Sequence, residues 1–268
     1  MQGIQMNVLR NCRSVIRSGI LAWLLVASTC DAAVDLVFAS DFQNSQPIQW
    51  VRHHPKAGGV SLALGPAYVT ALRVTGGGAF LTLYLQVPPA LNGNADYPLW
   101  SALKTFGDAT GPTPAVGDCV RAEGFIALFH GAGELATATW TAAPGECGNT
   151  AVTPYLAASV LSVATDTDPG TADTEPGASA ESLESVLVKL SSVSVQTSNG
   201  GTGAFKIGDT DTGPYLSVAP FIYQYTSLTG TVLTSITGVF DEFDPNPPPD
   251  PPPKFYQLMP RSAADIVN

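Results

Sequence analysis

The chain has 268 residues, of which 45% are hydrophobic and only 13% charged, and it carries 26 glycines and 22 prolines. That apolar mass suffices for one or two cores and excludes a disordered chain, while the Gly/Pro punctuation excludes a helical bundle or coiled coil. Twelve basic against 22 acidic residues, a net charge of −10, exclude a nucleic-acid binder that works by charge alone.

Arg10, Arg13 and Arg17 precede the apolar run 19–27, and small residues follow it. This is the order of a secretory signal peptide, with Met6 as an alternative start, and the run is shorter than the about 20 residues a spanning helix needs. Cleavage after Ala32 or Ala33 gives a soluble mature chain. Alternatively, residues 27–30 form an imperfect lipobox that would leave a lipidated Cys30 as the new N-terminus. Processing leaves nine basic and 21 acidic residues, a net charge of −12. It also leaves Cys119 and Cys147, an even pair in an oxidising compartment. They read as a disulfide, worth about 3–4 kcal/mol by loop closure.

Residues 34–59 form an N-terminal linker, apolar and then polar. Strand periodicity begins at Val60. Residues 67–74 and 79–87 flank Gly76, Gly77 and Gly78 as a hairpin, with Leu81, Leu83 and Leu85 on one face and Phe80, Thr82 and Tyr84 on the other. The spacing predicts a helix over 97–106: Asp96 caps it, Pro98 opens it, Leu99, Trp100, Leu103 and Phe106 make a stripe, and Gly107 stops it. Strands follow at 118–128 and 134–140.

A second copy of this order follows at low identity. Residues 184–195 parallel 67–74, Gly200–Phe205 parallel Gly76–Phe80, and 230–240 parallel 117–126. Residues 219–227 take the place of the helix, and 255–258 parallel 133–135. Between the halves, 166–181 is acidic and rich in Pro, Gly and small residues, as linkers are. Seven prolines between 245 and 253 predict an extended polyproline II spike. The expected fold is all-β: two tandem Greek-key barrels of the OB type, each with a short helix. The expected boundaries are 1–33 signal peptide, 34–59 linker, 60–150 first barrel, 151–183 acidic linker and 184–268 second barrel.

Residues 187–195, 205–209, 236–240 and 255–266 resemble the OB-like domains of bacterial secreted proteins. The closing element Leu258, Pro260, Arg261, Asp265, Ile266 is the most recognisable part. Domains of this type include those placed ahead of the catalytic domain in extracellular nucleases. The chain ends where the second barrel ends, so the resemblance implies the accessory module without its enzyme. Residues 34–42 also resemble a short Phe-containing segment found in many secreted Gram-negative proteins.

Residues suited to chemistry are sparse. His53 and His54 are adjacent and point apart on an extended chain, and His130 suits a turn. No G-x-S-x-G element, triad spacing or metal-ligand spacing is present. The carboxylate groups Asp166/Asp168, Asp209/Asp211 and Asp241/Glu242/Asp244 lie among Gly, Thr and Pro, as in solvated loops. Asp209 and Asp211 resemble the start of a calcium loop that lacks its closing Glu; a tight turn explains them more simply. The fold itself suggests single-stranded nucleic acid, held by stacked aromatics and cations on one sheet face. The candidates are Arg73, Phe80 and Tyr84 in the first half, and Lys189, Phe205 and Lys206 in the second. The acidic balance opposes this, and the aromatics could instead pack between the barrels. The expectation is an exported, non-catalytic binding or accessory module without a cofactor. Its partner would be single-stranded nucleic acid or another exported protein. The alternatives are a weak single-stranded nucleic-acid binder and a hydrolase whose site forms only in three dimensions.

Overall fold

A computed structural model describes residues 48, 59, 61–92, 97–129, 132–160, 163, 180–198, 203–242 and 256–268. The expected signal peptide with Cys30, the histidines, Asp166, Asp168, Asp244 and the proline-rich run lie outside the described residues.

The first barrel is built from β1 (Ser61–Thr75), β2 (Phe80–Gln86), β3 (Ala102–Asp108), β4 (Cys119–Phe129) and β5 (Ala132–Ala142). Its strands close in the order β1-β2-β3-β5-β4. Closure depends on a bend in β1, whose N-terminal half pairs with β4 and whose C-terminal half pairs with β2. The register slips between Leu64 and Ala67, where Gly65 and Pro66 stand. Pro66 offers no N–H to a ladder, and a bulge there turns the strand without orphaning a donor.

The second barrel repeats the arrangement with β7 (Leu187–Thr197), β8 (Phe205–Gly208), β9 (Leu216–Val218), β10 (Val232–Glu242) and β11 (Tyr256–Met259). Pairing of β10 with β7 closes it. In both barrels the third and fifth strands run parallel, Lys104 beside Glu134 and Ser217 beside Gln257. The shared order, with that parallel pair, is the OB-type Greek key. A short β6 (Tyr155–Leu156), inside the stretch expected to be linker, adds to β7. A terminal β12 (Ile266–Val267) adds to β10.

The alternation expected of β2 holds: Leu81, Leu83 and Leu85 fill the first core with Leu103, Ile126 and Leu135. The second core centres on Val188, Leu190, Ile207, Leu233, Ile236 and Phe240. The expected disulfide is present, with Cys119 and Cys147 Cα atoms 5.9 Å apart. It joins the start of β4 to the chain leaving β5, next to the Ala143 N–H bond to the Cys119 carbonyl.

Two expectations are corrected. Residues 97–106 are not a helix: a cis Tyr97–Pro98 bond and a left-handed Trp100 make a turn, and β3 follows from Ala102. The same residues also alternate, with Leu103, Thr105 and Gly107 on one side and Lys104 and Phe106 on the other. Pairing with β2 along all seven residues of β3 overrides the apolar spacing that suggested a helix. Residues 219–227 are likewise irregular; Pro220 cannot supply a helical N–H, and Ala219 donates to the Leu258 carbonyl instead. Neither barrel has a helix between its third and fourth strands; in the first barrel an α-helical turn, Pro89–Asn92, lies between β2 and β3 instead. Among the described residues no helix is long and apolar enough to cross a membrane.

Candidate functional site

The candidate site follows from strand register. Ala71, Tyr84, Lys104 and Glu134 stand side by side across β1, β2, β3 and β5. The next row is Arg73, Thr82 and Phe106. These residues alternate with the core leucines, so they project from the outer face of the first barrel. The second barrel covers that face. Val239, Met259, Leu187 and Ala219 join Ala71 and Tyr84 in a third apolar cluster, with Phe221 and Ile222 packed against it.

Polar contacts tie the two barrels together around this cluster. The Leu187 N–H donates to Gln86 Oε1 at 3.1 Å. Arg261 Nη1 donates to the Thr70 carbonyl at 3.2 Å, and the same guanidinium is held by Asp265 through Nε at 2.9 Å and Nη2 at 2.7 Å. The Arg and Asp of the recognisable closing element are therefore a clamp reaching back to β1. The Trp100 N–H donates to the Ser182 carbonyl at 2.7 Å.

Beside the cluster the barrels leave a cleft of about 290 Å³. The first barrel supplies Arg73, Tyr84, Lys104 and Glu134; the second supplies Asp241 and Gln257, neighbours across β10 and β11. Phe106, Phe129 and Phe221 complete its apolar walls, and Thr75 and Thr82 also line it. Lys104 Nζ lies 3.7 Å from Asp241 Oδ2, with both side chains almost fully buried. The Tyr84 hydroxyl donates to the same Oδ2 at 3.1 Å. The two cations also sit over rings: the Arg73 guanidinium 4.4 Å from the Phe221 centroid, Lys104 Nζ 5.7 Å from that of Phe129. Burial, and then the Asp241 charge, push the Tyr84 phenol well above its ordinary value. It is a fixed hydrogen-bond donor at neutral pH.

Of the residues selected from sequence, Arg73 and Tyr84 belong to this cleft. Tyr84 is 2% exposed, so it serves as a cleft wall and interbarrel contact; a sequence-tolerant stacking platform would need an open face. Phe80 is 39% exposed and stacks on Phe106 with centroids 5.4 Å apart, bracing a wall residue from outside. The second-half trio lies off the cleft. Phe205 is buried in the second core against Tyr225. Lys206 lies 3.7 Å over the exposed Tyr215 ring, and Lys189 is half-buried between its ladder neighbours Leu156 and Thr237.

One carboxylate group differs from expectation, while Asp209 and Asp211 are exposed in a bend as expected. Asp241 and Glu242 are not in a solvated loop; they are buried near the end of β10. Asp209 accepts from the Val160 N–H at 2.7 Å, and Asp211 accepts from the Ser194 hydroxyl. Both bonds tie down the bend after β8. Among the described residues no group of three or more His, Cys, Asp or Glu side chains is placed to hold a metal ion.

Sequence reasoning missed Lys104, Glu134, Asp241, Phe106, Phe129, Phe221 and Gln257. The alternation in 102–108 was the available signal for Lys104 and Phe106. The others come together only through closure of one barrel and docking of the other. No protein-family model matches this chain, and no curated protein is similar enough to it to count as a relative.

Proposed function

We propose that this chain is an exported, non-catalytic binding module and that the cleft between its barrels is the ligand site. The observation carrying this reading is the convergence of Arg73, Lys104, Glu134 and Asp241 on one cleft between aromatic walls. Such a setting, mostly apolar with a few placed polar groups, is the usual chemistry of a small-molecule site. The disulfide supports export, since such bonds persist in oxidising compartments.

The test is a ligand-observed magnetic-resonance screen of chemically mixed fragments against the wild type and Thr75→Trp, which fills the cleft from its half-buried edge. Signals lost in the variant are expected. A screen with no variant-sensitive signal refutes the site.

Single-stranded nucleic acid, the ligand suggested by the accessory domains of extracellular nucleases, has less support. Its favouring observations are the half-exposed Phe80 and the Lys206–Tyr215 pair. A mature net charge of −12 from nine basic and 21 acidic residues opposes it, since counterion release needs several phosphate contacts on one face. Binding to an oligothymidylate that falls steeply with salt would support it, and no binding at low salt disposes of it.

A further inference from the structure

We infer that the cleft receives a neutral, polyhydroxylated ligand: an uncharged saccharide of one or two rings. The inference rests on the cleft being the binding site and adds the chemical class of what enters it.

Charge sets the first limit. Arg73 and Lys104 are balanced by Glu134 and Asp241 on the same walls. A phosphate, sulfate or uronate would meet as many carboxylates as cations, and would lose its hydration without a net electrostatic return. A cationic ligand meets the mirror-image problem. A neutral ligand has neither penalty.

Hydrogen-bonding type sets the second limit. Arg73 and Lys104 only donate, Glu134 and Asp241 as carboxylates only accept, and Gln257, Thr75 and Thr82 do both. Donors and acceptors therefore share one small space. A sugar hydroxyl both donates and accepts, so successive hydroxyls on a ring match such a wall. A phosphodiester offers acceptors alone.

The apolar walls supply the third. Phe106, Phe129 and Phe221 offer carbon surface to the C–H faces of a ring, and two of them are fixed before any ligand arrives. Phe106 is backed by Phe80, and Phe221 by the Arg73 guanidinium. Preset walls reduce the ordering cost of binding. The cleft volume, about 290 Å³, is at the lower edge of the range of about 300–1,000 Å³ for small-molecule clefts. That limits the occupant to a short saccharide or the end of a longer one.

The experiment uses the full exported protein on an array of neutral, uronic and sulfated saccharides, followed by calorimetry with maltose, cellobiose and diacetylchitobiose. Thr75→Trp and Phe129→Ala are run beside the wild type. Phe129 is 52% exposed, so its truncation leaves the fold intact if the Trp variant fails. At least one neutral saccharide is expected to bind equally at low and high salt, to weaken about tenfold in Phe129→Ala, a loss of about 1.4 kcal/mol, and to be blocked in Thr75→Trp. If variant-sensitive binding occurs only with anionic saccharides, or only with non-sugar fragments, the inference is wrong and the cleft reading stands. If neither variant alters binding of any probe, both are wrong.

Discussion

Lys104 and Asp241 come from different barrels, and breaking their contact tests whether electrostatics hold the two together. Their charged atoms are 3.7 Å apart, with side chains 7% and 6% exposed. At an effective dielectric of about 20 this separation corresponds to about 4.5 kcal/mol of Coulomb attraction. The cost of taking both ions out of water offsets most of it, so the pair contributes little net stability. Removing one partner is different, because the other charge stays buried. Lys104→Met and Asp241→Asn should each cost about 3 kcal/mol, the lower end for a broken buried pair, since Tyr84 still bonds position 241. The double variant should cost at least about 2 kcal/mol less than the two singles summed. Urea unfolding followed by tryptophan fluorescence reads all four proteins, and unchanged m-values would show that the same surface is exposed in each. Additivity within about 0.5 kcal/mol would refute the coupling. The wild type should also unfold in one transition, because separate transitions would mean that the interbarrel contacts carry little energy.

Three further outcomes are expected. Reducing Cys119–Cys147, whose sequence separation is 28, should lower stability by about 3.6 kcal/mol; intact mass before and after reduction verifies the bond, and denaturant midpoints measure its worth. Burial raises the Tyr97 phenol to about 12, so the folded state keeps a proton that the unfolded chain loses near pH 10. Stability is then full below about pH 10 and declines as pH rises towards 12; Tyr97→Phe should lessen that alkaline decline, followed by ultraviolet difference absorbance and circular dichroism. At Gly124 and Gly238 an added Cβ would lie 2.6 Å from the Ala136 carbonyl oxygen and 2.7 Å from the Met259 carbonyl. Alanine at either should cost about 1–3 kcal/mol in thermal or urea melts.

The two glycines also explain why the repeat could be read at low identity. Each lies in the fourth strand of its barrel, where that strand passes close to the fifth, and backbone contact there tolerates no side chain. Closing a barrel imposes such points on any sequence, so they survive where side chains diverge. The β2 alternation was readable for a similar reason, because a strand with one face in a core must place every second residue inside. The 97–106 segment misled because Leu99, Trp100, Leu103 and Phe106 fit a helical stripe as well as a turn and strand. Only distant partners, β2 and β5, decide between them. The cleft was half legible. Arg73 and Tyr84 could be assigned to the correct face, but nothing local to β2 encodes that Asp241, 157 residues away, comes to rest on Tyr84. Asp241 itself read as a loop residue because prolines follow it closely.

The covered face of the first barrel has a consequence for how the protein can be made and reused. Its five strands are complete by Ala142, yet the strands that shelter Tyr84 and Lys104 lie between Val232 and Met259. During synthesis the first half must therefore present Tyr84, Lys104 and a bare apolar strip without their cover for about ninety residues of chain. Topologically the protein is a duplication, but the halves are no longer interchangeable parts. A fragment cut between them would expose a surface built to be inside, and a shuffled partner would need a carboxylate where Asp241 stands. The two barrels repeat one topology, and the contacts between them make the pair one structural unit.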